Sequence, residues 1–170
     1  MSIQKYEGIP LSDADIRQLL PGINIVSYPS LATVSSLDDI CDERGRIVIF
    51  FETTSTHAGH WTCLWKQANG RWYYFDSHGL APDQDLYFVP PPELKALKES
   101  RPLLSSLMGS DSNNYNNVQL QAFEKNVDTC GRHVVVRLWN KALCTQCYAN
   151  RVGPDPDATV TEMTVNIVYR

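Results

Sequence analysis

The sequence contains no apolar run long enough to cross a membrane, and Met1-Ser2-Ile3-Gln4-Lys5 lacks the basic-then-apolar layout of a secretion signal. Both absences point to a protein that is neither inserted into a membrane nor exported. No internal repeat divides the 170 residues, which suit one domain with a substantial core. Strong charge of either sign is missing too. The net charge of −4 argues against nucleic-acid binding by the chain as a whole. A second pair of metal-ligand cysteines is absent as well: Cys144-Thr145-Gln146-Cys147 is a lone C-x-x-C, and neither Cys41 nor Cys63 has a neighbour to complete a zinc site. No metal and no cofactor are therefore assigned. The cysteines number five, an odd count that implies free thiols in a reducing compartment, with Cys144 and Cys147 near a helix C-terminus.

What is present is organised around two stretches. Residues 46–51 are continuous, β-branched and aromatic, the pattern of a strand covered on both faces. A loop of small polar residues over 53–59 leads to a second strand at 60–65. Asn69-Gly70 then turns the chain into a third strand at 71–76. Before these lie elements of an N-terminal lobe (residues 1–45): a helix capped by Ser12 and stopped by Pro21-Gly22, a strand over 23–26 and a short helix over 36–40. After them come an extended arm at 86–89, a helix over 93–100 and an exposed asparagine-rich loop at 110–117. A brief strand at 118–121 closes that run. A catalytic core would span 46–143. Residues 144–170 would close the domain, with 159–169 open between helix and strand.

The second stretch is Val127-Asp128-Thr129-Cys130-Gly131-Arg132-His133, a loop ending on a cysteine that starts an apolar helix running to about residue 143. Unpaired N–H groups and the positive end of the helix dipole favour an anion there, so a thiolate is stabilised. Asp128 or Thr129 is placed to cap the helix. Gly131 permits close approach of another chain or a substrate. Alone, a cysteine in such a place is more often a buried packing residue. The rest of the chain, however, supplies possible partners for it.

His60 opens one strand, and Asp76 ends the next, sixteen residues on. A two-residue Asn69-Gly70 turn would pair Asp76 with Cys63, about 10 Å from His60 at roughly 3.3 Å per residue. A loop of three or five residues would set the two directly opposite. Joint action thus requires a wider turn or a bulge. His57, His78 and His133 compete as bases. His78 shares a strand face with Asp76, and His133 sits one helical turn after Cys130, where a surface or packing role is expected.

This order, His60-Trp61, then Phe75-Asp76-Ser77, then a glutamine before Cys130-Gly131, resembles the adenain-like cysteine proteases, the clan that includes SUMO-specific and other ubiquitin-like-protein proteases. The resemblance spans roughly residues 46–143. It implies an α+β fold with a central mixed sheet against the cysteine helix, a papain-like layout in permuted chain order. Cys130 would be the nucleophile, His60 the base and later acid, and Asp76 the group holding the ring. Gln121, or alternatively Gln119, and the Cys130 backbone N–H would stabilise the oxyanion, with Trp61 packing beside the site. The clan carries its glutamine closer to the cysteine, at positions filled here by Phe123 and Glu124. Gln121 lies nine residues before Cys130 and Gln119 eleven, so a longer loop over 124–129 is required.

The resemblance further implies a compact viral maturation protease that cleaves a precursor polyprotein after Gly-Gly or Ala-Gly, in the virion or in host cytoplasm or nucleus. Some relatives need a peptide or nucleic-acid activator. Residues 121–151, with five basic and two acidic side chains, are compatible with that. A deubiquitinase or deSUMOylase, an acetyltransferase, and a non-catalytic virion or binding protein are the competing expectations.

Overall fold

Every residue from Ile47 to Phe51 is apolar, and only a strand covered on both faces hides them all. The computed structural model describes residues 2–55 and 58–169, and His57, one of the competing histidines, lies outside them. It has a four-stranded mixed sheet in the order β1 (Asn24–Ser27), β2 (Arg46–Ser55), β3 (Ala58–Lys66), β4 (Trp72–Phe75). β1 runs parallel to β2, and the other pairs are antiparallel. The helices are α1 (Ile3–Glu7), α2 (Asp13–Leu19), α3 (Pro91–Ala96), α4 (Leu103–Met108), α5 (Cys130–Trp139), α6 (Thr145–Val152) and α7 (Pro156–Val168). The fold is α+β.

Strand alternation sorts the core into two layers. Trp61, Cys63, Trp65, Tyr73 and Phe75 face α5, where they pack with Val134, Val135 and Leu138. Ile16 and Leu19 of α2 and Val160 of α7 join the same cluster, so both ends of the chain contribute to the core around α5. Ile47, Ile49, Phe51, Leu64 and Tyr74 face the other way, against Tyr28, Leu31, Leu104 and Met108. α2 starts as its sequence dictates: Ser12 accepts from the Asp15 N–H while the Asp15 carboxylate accepts from the Ser12 N–H.

Several expectations are corrected. The polar stretch after Phe51 is not a loop throughout, because β2 continues to Ser55 with a register shift between Glu52 and Ser55. Residues 86–89 are not an extended arm. The chain forms a 3-10 turn over Gln84–Phe88 there. Residues 118–121 find no strand partner; instead the Leu120 and Gln121 N–H groups both donate to the Ser77 carbonyl. In the asparagine-rich segment Asn116 is buried, donating to the carbonyls of Asp76 and Val118 at 2.8 Å each. Residues 159–169 lie almost wholly in α7.

α5 ends at Trp139, four residues early, for a visible reason. Buried Arg137 turns its guanidinium toward the carbonyls of Asn140 (2.7 Å) and Leu143 (2.9 Å), and the chain bends back to meet it. The same cation stands 4.7 Å from the Trp65 ring and 4.6 Å from that of Tyr148. Arg132 is equally interior, donating to Thr164 Oγ1 at 2.7 Å. Two of the five basic side chains in 121–151 therefore hold the core together and give no surface charge. Cys144 is the N-cap of α6, not the tail of α5, and is bonded to Cys147 as a disulfide. The free thiols are Cys41, Cys63 and Cys130.

Replacing Arg137 by Met should remove the carbonyl bonds and the aromatic contacts together. Urea unfolding is expected to show a loss of about 3 kcal/mol, with helix content otherwise retained. A loss below about 0.5 kcal/mol would mean that Arg137 is a passenger in the core.

Candidate active site

The β3–β4 connection sets the geometry. Lys66 pairs with Trp72 and Cys63 with Phe75, so residues 67–71 form a five-residue loop closed by the Gln67 N–H to the Arg71 carbonyl. The turn is wider than Asn69-Gly70 alone would make it. Yet His60 and Asp76 are not directly opposite. Extending the ladder by one rung sets Asp76 against Thr62, which makes His60 its diagonal neighbour on the same face, within side-chain reach. The bond is formed: His60 Nε2 donates to Asp76 Oδ1 at 3.0 Å.

The Cys130 thiol, at the start of α5, is near enough to the same ring to bear on its charge. All three groups are shielded from water: Asp76 is fully buried, Cys130 is 6% exposed and His60 7%. Burial works against a charged His60. The Asp76 charge and hydrogen bond outweigh it, with a smaller share from Cys130, and hold the ring well above the usual histidine range. Burial likewise opposes ionised Asp76. The His60 charge and hydrogen bond win there too, aided by Asp85 and by the His78 amide, which donates to Oδ1 at 2.7 Å.

His78 stacks on His60 with ring centroids 4.7 Å apart, and exposed Phe123 stacks on His78 at 4.1 Å. Burial first, then the positive His60, pushes His78 down to about 4. It is neutral near pH 7. Trp61 anchors its indole N–H on the Leu11 carbonyl at 3.0 Å. Gly131 serves packing: a Cβ there would come within 3.1 Å of both Leu11 and Trp61, so the close approach it allows is by these side chains.

Gln121 is buried, while the Gln119 side chain donates to the Gln121 carbonyl from an exposed position. Gln121 Oε1 accepts from Ser77 Oγ at 2.6 Å, and its Nε2 donates to the Val127 carbonyl at 3.2 Å. That second bond closes the gap in sequence. Residues 122–126 loop outward, with Asn126 at φ +75°, and return the chain to within three residues of Cys130 beside the Gln121 amide. Gly79, at φ +77°, lets the turn after Asp76 pass close to the Val118–Gln119 backbone, which a Cβ there would meet at 2.8 Å.

Asp157, at the start of α7, was missed by sequence reasoning. Its carboxylate accepts from the Ala122 N–H at 2.9 Å, the Thr129 hydroxyl and His133 Nε2 at 2.9 Å. One side chain thus pins both ends of the outward loop and the first turn of α5. It also corrects one expectation, since Thr129 does not cap α5 through its side chain; His133, fully buried against Asp157, takes the packing role expected of it. Asp85 was missed as well. It is buried, on the 3-10 turn Gln84–Phe88, and its donor atoms converge with those of His60, Asp76 and His78 within 4.8 Å. These four are the one such group among the described residues. Asp76 Oδ1 is already occupied by two N–H donors there, so no ion is assigned. A surface concavity of about 450 Å³ beside Cys41 and Arg46 lies at the opposite end of β2 from the His60 rung.

Burial opposes the Asp157 charge, but bonds from His133, Thr129 and Ala122 hold its pKa below the usual carboxylate value. A depressed acid stabilises the fold fully above its unfolded pKa of about 4 and loses that contribution as pH falls through the lower folded value. Asp157→Asn should therefore unfold at lower urea than the parent protein at pH 6, with the difference shrinking below about pH 4. A difference that stays constant down to pH 2 would show that the charge contributes nothing.

No known family model matches the chain. The sequence is 31% identical over 173 residues to "Uncharacterized protein V9" of Sputnik virophage, covering 96% of this chain and 98% of that protein. The correspondence thus runs along nearly the whole of both chains. The chain belongs to the family of this virophage protein.

Proposed function

We propose that the protein is a cysteine endopeptidase of the adenain-like type, with a papain-like site in permuted chain order. The observation that carries this reading is a buried imidazole bonded to a carboxylate, with a thiol that starts a helix near enough to bear on its charge. Cys130 attacks the scissile carbonyl as thiolate, His60 supplies the proton that the leaving amine takes, and Asp76 keeps the ring oriented and its cation stabilised. Gln121 is the favoured oxyanion donor over Gln119. Its Oε1 is fixed by Ser77, one amide hydrogen goes to Val127, and the other is left for a substrate oxygen.

The substrate class follows from the resemblance: a precursor polypeptide cut after Gly-Gly or Ala-Gly, where small side chains thread a nearly closed site. A virophage relative supports a viral setting, while maturation in the virion or in host cytoplasm or nucleus follows from the resemblance. Hydrolysis of a ubiquitin-like modifier is the second reading. The exposed aromatics Tyr87, Phe88 and Phe123, near Asp85 and His78, favour it as a surface for a folded partner.

Alkylation by iodoacetamide tests the chemistry without a known substrate. Burial raises the pKa of both Cys41 and Cys63, and the disulfide removes Cys144 and Cys147. Cys130 should therefore label at least about tenfold faster than either at pH 7, and His60→Ala should abolish the difference. Equal rates in the parent protein would end the nucleophile assignment. Cleavage of a Gly-Gly peptide should fall about a thousandfold or more in Cys130→Ala and His60→Ala. A ubiquitin-like fluorogenic substrate turned over in preference to that peptide would move the reading to a modifier hydrolase.

A further inference from the structure

Asp76 has two carboxylate oxygens, and the hydrogen bonds reach only one. Oδ1 takes His60 Nε2 and the His78 amide, while Oδ2 is buried and receives no N–H or hydroxyl. A buried carboxylate oxygen left dry is costly, and such atoms in folded proteins nearly always have a donor. The neighbour that could provide one is Asp85, itself 8% exposed and converging with Asp76, His60 and His78 within 4.8 Å. Its remaining polar contact is the Tyr74 hydroxyl, at 3.5 Å from Oδ2. Among the described residues no lysine or arginine pairs with either carboxylate.

Two carboxyl groups this close in a dry site do not both ionise. The surroundings decide which one keeps a proton. Asp76 faces the His60 cation and an amide N–H, both of which favour its charge. Asp85 faces the negative Asp76 and a neutral phenol. We infer that Asp85 is a positioning residue: it holds its proton at neutral pH and donates it to Asp76 Oδ2, completing the chain Asp85–Asp76–His60–Cys130. This rests on the reading of Cys130 and His60 as the working pair.

Burial and the Asp76 charge push the Asp85 carboxyl well above the usual range, in keeping with that assignment. The titratable groups facing Asp85 are Asp76, His60, Tyr74 and His78, and His60 is the one cation among them. A neutral donor at this place has two effects. It leaves a single negative charge opposite His60, and it fixes the Asp76 carboxylate so that Oδ1 keeps pointing at the ring.

The test uses the full chain. In protein with carbon-13-labelled aspartate, the Asp85 side-chain signal, assigned by its loss in Asp85→Asn, should report a protonated carboxyl at pH 7. An ionised carboxyl there overturns the inference. Asn keeps an N–H donor where the acid had an O–H, so Asp85→Asn should alkylate at Cys130 within about threefold of the parent rate, whereas Asp85→Ala should fall about tenfold as the Asp76 carboxylate loses its fixed orientation toward the His60 ring. An Asn variant as slow as Ala, with unfolding midpoints for both close to the parent value, would assign Asp85 to packing alone. Stoichiometric divalent metal in the purified protein, lost in Asp85→Asn, would make it an ionised ligand and overturn the inference equally. Should Cys130 in the parent protein react no faster than Cys41, the protease reading fails, while the carboxyl signal still decides the protonation of Asp85.

Discussion

One carboxylate holds the site together from outside it. Asp157 accepts from a backbone N–H just after Gln121, from the hydroxyl just before Cys130 and from His133 one turn into α5. Without it the outward loop would be tied at its base mainly by the Gln121–Val127 bond, and the cysteine end of α5 would have no fixed relation to the glutamine. Loop closure costs little extra for a few added residues, so a longer loop is tolerated provided something clamps its ends. The N-terminal helix adds a third point, because the Asp128 N–H donates to the Glu7 carbonyl. Both chain ends therefore converge on the loop that delivers Cys130.

The sheet imposes the complementary constraint. Side chains alternate along β3, so Trp61 and His60 cannot serve the same face. Trp61 goes to the core and seals against Gly131; His60 goes to the face that Asp76 shares. A five-residue turn sets the register that makes His60 and Asp76 diagonal partners. A one-residue slip would send Asp76 to the other face and leave His60 buried without its counter-charge.

The sequence displays this architecture unevenly. Strands β2, β3 and β4, the capped α2 and the start of α5 are legible because each is written in local pattern: apolar runs, a capping box, a cysteine-glycine helix start. His60, Asp76 and Cys130 are recognisable through their order, and the structure brings them together. Elements whose conformation depends on distant partners are not legible. Residues 118–121 look like a strand, but Val118 bonds to the Asn116 side chain and Leu120 and Gln121 to the carbonyl of Ser77. Arg132 and Arg137 look like surface charge, since nothing local reveals the carbonyls and rings that receive them. Asp157 sits in what resembles a linker, and only the return of α7 to α5 gives it a role. Cys144 and Cys147 read as free thiols because compartment arguments are about context, whereas their pairing follows from three-residue spacing at the start of α6.

The two stacked imidazoles show how little separates a charged ring from a neutral one. His60 and His78 have centroids 4.7 Å apart and share Asp76, yet their proton affinities move in opposite directions. Burial lowers both. The difference is one hydrogen bond: Asp76 Oδ1 is 3.0 Å from the His60 ring and 3.8 Å from the ring of His78, which offers its backbone N–H instead. Once His60 is charged, it suppresses a second cation at stacking distance, so His78 stays neutral and serves as a wall. That wall, extended by Phe123, keeps water from the ring and so strengthens the attraction between His60 and Asp76 that made the choice in the first place.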